Sequence, residues 1–375
     1  MKTMKNTPES PLNPRRYDID WLRVIAIGLL LIYHIAIVFQ PWGVFIGFIT
    51  SQEPLSGLWP LMAMINVWRI PLLFYVSGMG VAFAMRKRNW KQLIGERARR
   101  ILLPFIFGMF FIIPVYIFIL QKYYKQDLDY MINPGHLWFL ANICIYVVIL
   151  SPLFFFMKRK NDSRAMSFLR KVFSSPAIII ITAAVFVAEV LLVHPASFEL
   201  FAMTWHGFFL GMLAFFFGFC FVHTGNGFWK MLANVKWITL ALAIGLYIIR
   251  ISIFQYTSPF YLASIESSLW IFSLLGFGHR YLNRPGKLLS YLSNAAYPVY
   301  ILHMVFLYLS SYFILPMSLP SWVEFLLIIL STFISCFLLY EFLLKRIPFI
   351  GVLFGLKVSG KERNPAEKKV LLNLN

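Results

Sequence analysis

Arg23 and His34 stand eleven positions apart in an otherwise apolar run, DIDWLRVIAIGLLLIYHIAIVF over 18–39. Eleven helical steps of about 100° return to nearly the same face, with a rise of roughly 16 Å. Both side chains therefore look to one side of a helix, His34 in its outer half. An imidazole of near-neutral pKa suits proton transfer, so His34 is the candidate general base. Later apolar runs are interrupted by Arg69, Glu189, Arg250 and Glu266, which span counting places at a depth similar to His34. Arg69, together with Ser77, is a candidate to steady an oxyanion. Glu266 is a candidate to orient the imidazole. The same charges also describe ion pairs that stitch helices together, Arg250 with Glu266 among them.

A second group lies toward the opposite side. The segment RKRNWKQLIGERARR, 86–100, holds seven basic residues. Within it Arg97 and Arg100 share a helix face, and two guanidinium groups on one face can grip phosphates bidentately. The alternative is that this is simply the densest of several basic loops. Tyr297, Tyr300 and His303 (AAYPVYILHM) and Glu341 fall near the same end of the two last apolar runs. His303 is the next candidate base after His34.

The elements that carry these residues follow from composition. The chain of 375 residues is 60% apolar and only 13% charged, with a mean hydropathy of +0.73. Soluble domains run at roughly 45–50% apolar and 25% charged, so a soluble enzyme, a disordered chain and a disulfide scaffold are all excluded. The apolar runs are long and continuous and do not alternate, which argues against a β-barrel. A span needs about 20 apolar residues. Ten such runs occur, near 20–40, 60–85, 101–121, 137–157, 176–194, 207–223, 237–257, 260–279, 297–315 and 321–344. The expected fold is all-α and polytopic.

Of the 34 Lys and Arg, 29 fall in the alternate segments that share a side with the N-terminus, and only Lys122 and Lys125 fall opposite. By the positive-inside rule both termini are cytoplasmic. The net charge of +19 is thus a topology signal, and no nucleic-acid partner is expected. The domain reading is a cytoplasmic segment 1–19, a membrane domain 20–345 and a cytoplasmic tail 346–375, polar from Lys357 onward. The first run is too long for a signal peptide. Cys144, Cys220 and Cys336 all lie within spans and form no metal-binding pattern. No Walker loop, G-x-G-x-x-G or H-E-x-x-H motif occurs, so no bound nucleotide or metal is expected. No internal repeat is visible.

Four stretches together resemble the membrane-bound acyltransferase 3 family over almost the whole chain. In RYDIDWLRVIAIGLLLIYH, Arg23 and His34 fit the family's Arg-x10-His motif. FYVSGMGVAFAM, 74–85, fits its Phe-rich Ser-Gly signature, and ERARRILLPF places Arg97 and Arg100 on its Arg-x-x-Arg motif. LSNAAYPVYILHMVF fits its late Tyr-Pro-x-Tyr-x-x-His segment. Within the family, GHLWFL at 135–140 and LYEFLLKRIPFIGVLFGLK at 339–357 look most like the branch of the glucan-succinylating protein C.

The resemblance implies a multi-pass O-acyltransferase of the cytoplasmic membrane. Such a protein uses acyl-CoA as co-substrate, with no tightly bound cofactor, and an extracytoplasmic glycan or other hydroxyl as acceptor. It also implies that Arg97 and Arg100 meet the CoA phosphates, while Arg23 steadies the thioester's path to His34. Trp68, Trp138 and Trp205 are candidates to stack on sugar faces or to anchor the protein at the membrane interface. Direct transfer and a covalent acyl-His or acyl-Ser intermediate both remain open. The competing class is a proton-coupled small-molecule transporter, which also places Arg, His and Glu within spans.

Overall fold

The computed structural model describes residues 15–356. The stretches 1–14 and 357–375, with most of the expected terminal segments, lie outside the described residues. Within them the chain is a helical bundle of α1 (Tyr17–Ile37), α2 (Ser56–Met85), α3 (Trp90–Tyr123), α4 (Gly135–Arg159), α5 (Arg164–Phe173) and α6 (Ala177–Val193). It continues with α7 (Trp205–His223), α8 (Asn226–Ser252), α9 (Phe260–Leu282), α10 (Lys287–Met317) and α11 (Ser321–Leu344). A short α12 (Pro348–Leu353) closes the described chain, inside the stretch read from sequence as tail. Among the described residues, nine helices are long and apolar enough to cross a membrane, and there are ten if the bent pair α5–α6 is counted as one span.

The exception in that count has a local cause. Helices α5 and α6 meet at 92° at the sequence Ser174-Ser175-Pro176, because Pro176 cannot continue a helix from the preceding turn. Helix α5 begins at Ser163, whose hydroxyl accepts from the Met166 N–H at 3.3 Å. It carries basic residues on one face and apolar ones on the other, as an interfacial helix does.

Helix α2 is the centre of the bundle and α8 lies at its rim, since 83% of the most apolar window of α2 is buried but only 17% of that of α8. The rim residues, such as Ile180, Leu192, Ile238 and Leu330, are exposed aliphatics that lipid covers. Helix α2 crosses α7 with the two backbones in close contact. A Cβ on Gly78 would run into the Phe215 carbonyl, and one on Gly218 into the Tyr75 carbonyl. Small residues at the crossing let the two backbones touch, the usual basis of helix association where no hydrophobic drive exists.

Two π-turns, Ala98–Leu102 and Gly108–Ile112, interrupt α3. Each shortly precedes a proline, Pro104 or Pro114, whose missing N–H leaves a carbonyl one turn back without its α-helical donor. The first π-turn contains Arg100.

Helix α10 is longer at its start than hydropathy suggests. The polar stretch KLLSYLSN, 287–294, is helical and extends the span below the apolar run. His303 therefore lies at mid-helix, and the expectation that it sits near the cytoplasmic end is corrected.

Candidate functional site

A cavity of about 2030 Å³ runs through the bundle. Its walls are drawn from α1, α2, α3, α4 and α10, and it has two chemically different mouths. At one end it is lined by Arg15, Arg23, Arg86, Arg97, Arg100 and Lys345, with Asp20. At the far end its lining comes from the loops after α1, α6 and α8, with Trp42, Glu199 and Tyr256 among it. His34 and Arg69 line it between the two.

The strongest feature of the interior is a histidine pair. His34 Nδ1 lies 2.9 Å from His303 Nε2, with the ring centroids 5.2 Å apart and the ring planes within 5° of parallel. His303 Nδ1 lies 2.6 Å from the Tyr300 carbonyl. A carbonyl only accepts, so His303 Nδ1 carries a proton. With both rings neutral, His303 Nε2 is then an acceptor, and His34 must donate through Nδ1. This tautomer leaves the lone pair on His34 Nε2, which makes no hydrogen bond among the described residues. The carbonyl of Tyr300 thus fixes, through His303, which nitrogen of His34 is basic.

This corrects the expected partner of His34. Glu266 does not orient it, because its carboxylate is held by Arg250 in two hydrogen bonds of 2.7 and 2.9 Å and by the Trp270 indole at 3.3 Å. Arg250 borders the cavity, but its Nη2 is bound further to the Ala63 carbonyl at 3.0 Å. The two form a buried pair joining α8, α9 and α2. Glu189 is likewise consumed by His206, at 2.9 Å and away from the cavity. Glu341 pairs with Lys345 at 2.8 Å on the surface and does not reach the cavity.

Arg69 differs from these. It is 5% exposed and stacks 3.4 Å over the ring of Tyr33, the neighbour of His34. One Nη2 donates to Asn66 Oδ1 at 2.9 Å, while Nε and Nη1 have no partner among the described residues. A buried guanidinium with two idle donors on a cavity wall is suited to receive negative charge that develops there. Ser77 lines the same cavity but gives its hydroxyl to the Leu73 carbonyl at 2.8 Å. A helical rise of about 12 Å separates it from Arg69. With its hydroxyl committed and its Cα this far along the helix, Ser77 is not placed to share one oxyanion with Arg69.

At the basic mouth, Arg97 Nη2 donates to the Gly80 carbonyl at 3.2 Å and its Nε is buried without a partner among the described residues. Arg100 is only loosely held, by Glu96 at 3.4 Å. Arg23 pairs with Asp20 at 3.0 Å. All three face the cavity, and cations exceed acids along this end.

One residue of the site escaped the sequence reading. His136 sits in the 3₁₀ turn Gly135–Leu137, with its ring edge-on to His303 at 5.0 Å. Its Nε2 donates to the Ile301 carbonyl at 3.2 Å, and its own carbonyl accepts from the Tyr300 hydroxyl at 2.6 Å. Gly135 lets the turn enter, for a Cβ there would strike the Tyr116 hydroxyl. The sequence signal for it is the histidine of GHLWFL, set behind a glycine at the head of a span. Of the three tryptophans that are candidates for sugar stacking or interface anchoring, Trp138 lines the cavity, Trp68 is buried off it, and Trp205 is 71% exposed on the outer surface.

A family model described as an acyltransferase domain, acyltransferase 3, matches residues 16–341. The chain belongs to this family and is a multi-pass membrane acyltransferase, which decides the class against a carrier. Comparison with curated proteins and with solved structures finds no match.

Proposed function

We propose that the protein moves an acyl group, acetyl or succinyl, from acyl-CoA to a hydroxyl of a glycan outside the cytoplasmic membrane. The observation that carries this reading is the continuous cavity with a basic mouth at one end, His34 within and an aromatic mouth bearing Glu199 opposite. CoA phosphates suit Arg97 and Arg100, and the pantetheine arm then bridges the roughly 16 Å between Arg23 and His34. The acceptor hydroxyl gives its proton to His34 Nε2 as its oxygen bonds to the thioester carbon. Arg69 faces the resulting oxyanion. Collapse breaks the C–S bond, and the departing thiolate recovers the proton from His34. The proton shared along the His34–His303 hydrogen bond spreads the imidazolium charge to the Tyr300 carbonyl. The stretches GHLWFL and LYEFLLKRIPFIGVLFGLK favour the glucan-succinylating branch and so a glucan acceptor.

The test is mass spectrometry of surface and periplasmic glycans with and without the gene, joined to CoA release by the purified protein given acetyl- or succinyl-CoA. A glycan that loses 42 or 100 Da per modified hydroxyl without the gene, the masses of an acetyl or a succinyl replacing hydrogen, is expected. Unchanged glycans together with acyl-CoA turnover onto a lipid or small molecule would overturn the acceptor assignment.

A further inference from the structure

We infer that the far mouth of the cavity holds a subsite for one neutral hexose ring, built by Trp42, Trp59, Tyr256 and Glu199. The inference rests on the proposed glycan acceptor and adds where, and by which groups, the sugar is gripped.

The three aromatic rings form a chain of edge-to-face contacts along the cavity wall. Trp42 and Trp59 lie 5.8 Å apart at 74°, and Trp59 and Tyr256 lie 6.0 Å apart at 66°. All three line the cavity and all three are only partly buried, so faces remain open to it. Trp205 shows the contrast, since an interface-anchoring tryptophan is mostly exposed on the outside of the bundle. Rings set nearly at right angles make a corner, and a pyranose offers apolar C–H faces to one wall and equatorial hydroxyls to what lies beside it. From the loop after α6, Glu199 also lines this end of the cavity and is held by the Ser197 hydroxyl at 2.7 Å. A carboxylate accepts from paired hydroxyls and repels a sugar acid.

The backbone supports the same place. Among the described residues, six other than glycine adopt positive φ, and three of them, Met203 (54°), Gln255 (47°) and Tyr256 (72°), line this mouth. Left-handed backbone is costly for such residues and concentrates where a side chain must be aimed. The corner is also tied to the chemistry. Trp42 belongs to the turn Pro41–Ile46, and Phe48, just beyond it, packs 5.9 Å from the His34 ring.

The experiment is N-bromosuccinimide oxidation of the full chain in nanodiscs free of maltoside detergent, with peptide mass spectrometry at each tryptophan. Maltohexaose or laminarihexaose is expected to slow oxidation of Trp42 and Trp59 several-fold and leave Trp205 unchanged, while an oligogalacturonate of equal length gives no protection. Trp59→Ala is expected to abolish protection of Trp42, and Glu199→Gln to let the oligogalacturonate protect. Equal oxidation with and without neutral sugar, or protection by the acidic oligomer alone, would overturn the subsite. Protection is read without turnover, so it is separable from the proposed reaction. Sugar protection without acyl transfer to a glycan would sink that reaction and leave the subsite, whereas glycan acylation without protection would sink the subsite alone.

Discussion

Replacing His303 by Phe removes the acceptor that fixes the tautomer of His34 while keeping a flat ring in a site that is 1% exposed. The His34 Nδ1–H at 2.9 Å then loses its partner. An orphaned buried donor costs about 1–3 kcal/mol, so the required tautomer is disfavoured by between roughly fivefold and 150-fold. Part of the imidazolium stabilisation is lost as well, which places the expected fall in kcat near the upper end, about 10²-fold. His303→Gln restores an amide oxygen that can accept from His34 and should recover about tenfold of that loss. The assay is steady-state CoA release in nanodiscs, with acyl-CoA and acceptor varied separately and protein matched by thermal unfolding. KM for acyl-CoA should stay within a few-fold, because His303 is far from the basic mouth. A His303→Phe protein with the kcat of the native chain would refute the relay.

Removing both guanidinium groups at Arg97 and Arg100 should raise KM for acyl-CoA by tenfold or more, since each charge-assisted contact is worth about 1.5–3 kcal/mol and less where solvent reaches it. An unchanged KM would leave them as topology signals. Glu266→Gln should lower stability by about 3–5 kcal/mol by stranding the buried Arg250 charge, with kcat per folded molecule nearly unchanged, as thermal unfolding beside turnover would reveal. A single cysteine beside Lys125 should label from outside intact cells and one beside Lys91 should not, and reversed labelling would invert the assigned orientation.

Much of the architecture was legible because lipid demands it. Every span is a long apolar run, and each run found in the sequence corresponds to a helix or to the bent α5–α6 pair. The registration of Arg23 and His34 is a property of one helix and needed no neighbours, and both line the cavity. Lateral pairing was legible only as alternatives. Depth put Glu266 level with both His34 and Arg250, and of the two readings it is the ion pair with Arg250 on the adjacent helix that forms. His303 was placed too near one end because helix α10 runs on through KLLSYLSN, where hydropathy falls and helicity does not. His136 was hidden for a different reason. A glycine-led turn before a span reads as loop, and nothing in its composition says that it dips beside another helix.

The central claim is that His34 Nε2 takes the acceptor's proton, and replacing that one group by an amide tests it most directly. Glutamine is of similar reach and keeps a hydrogen bond to His303, but it cannot accept a proton at neutral pH. Acyl transfer by His34→Gln in nanodiscs, at equal folded protein and saturating acyl-CoA, should fall by about 10²–10⁴-fold, the range of general-base catalysis. A variant retaining transfer within a few-fold of the native chain would contradict the account.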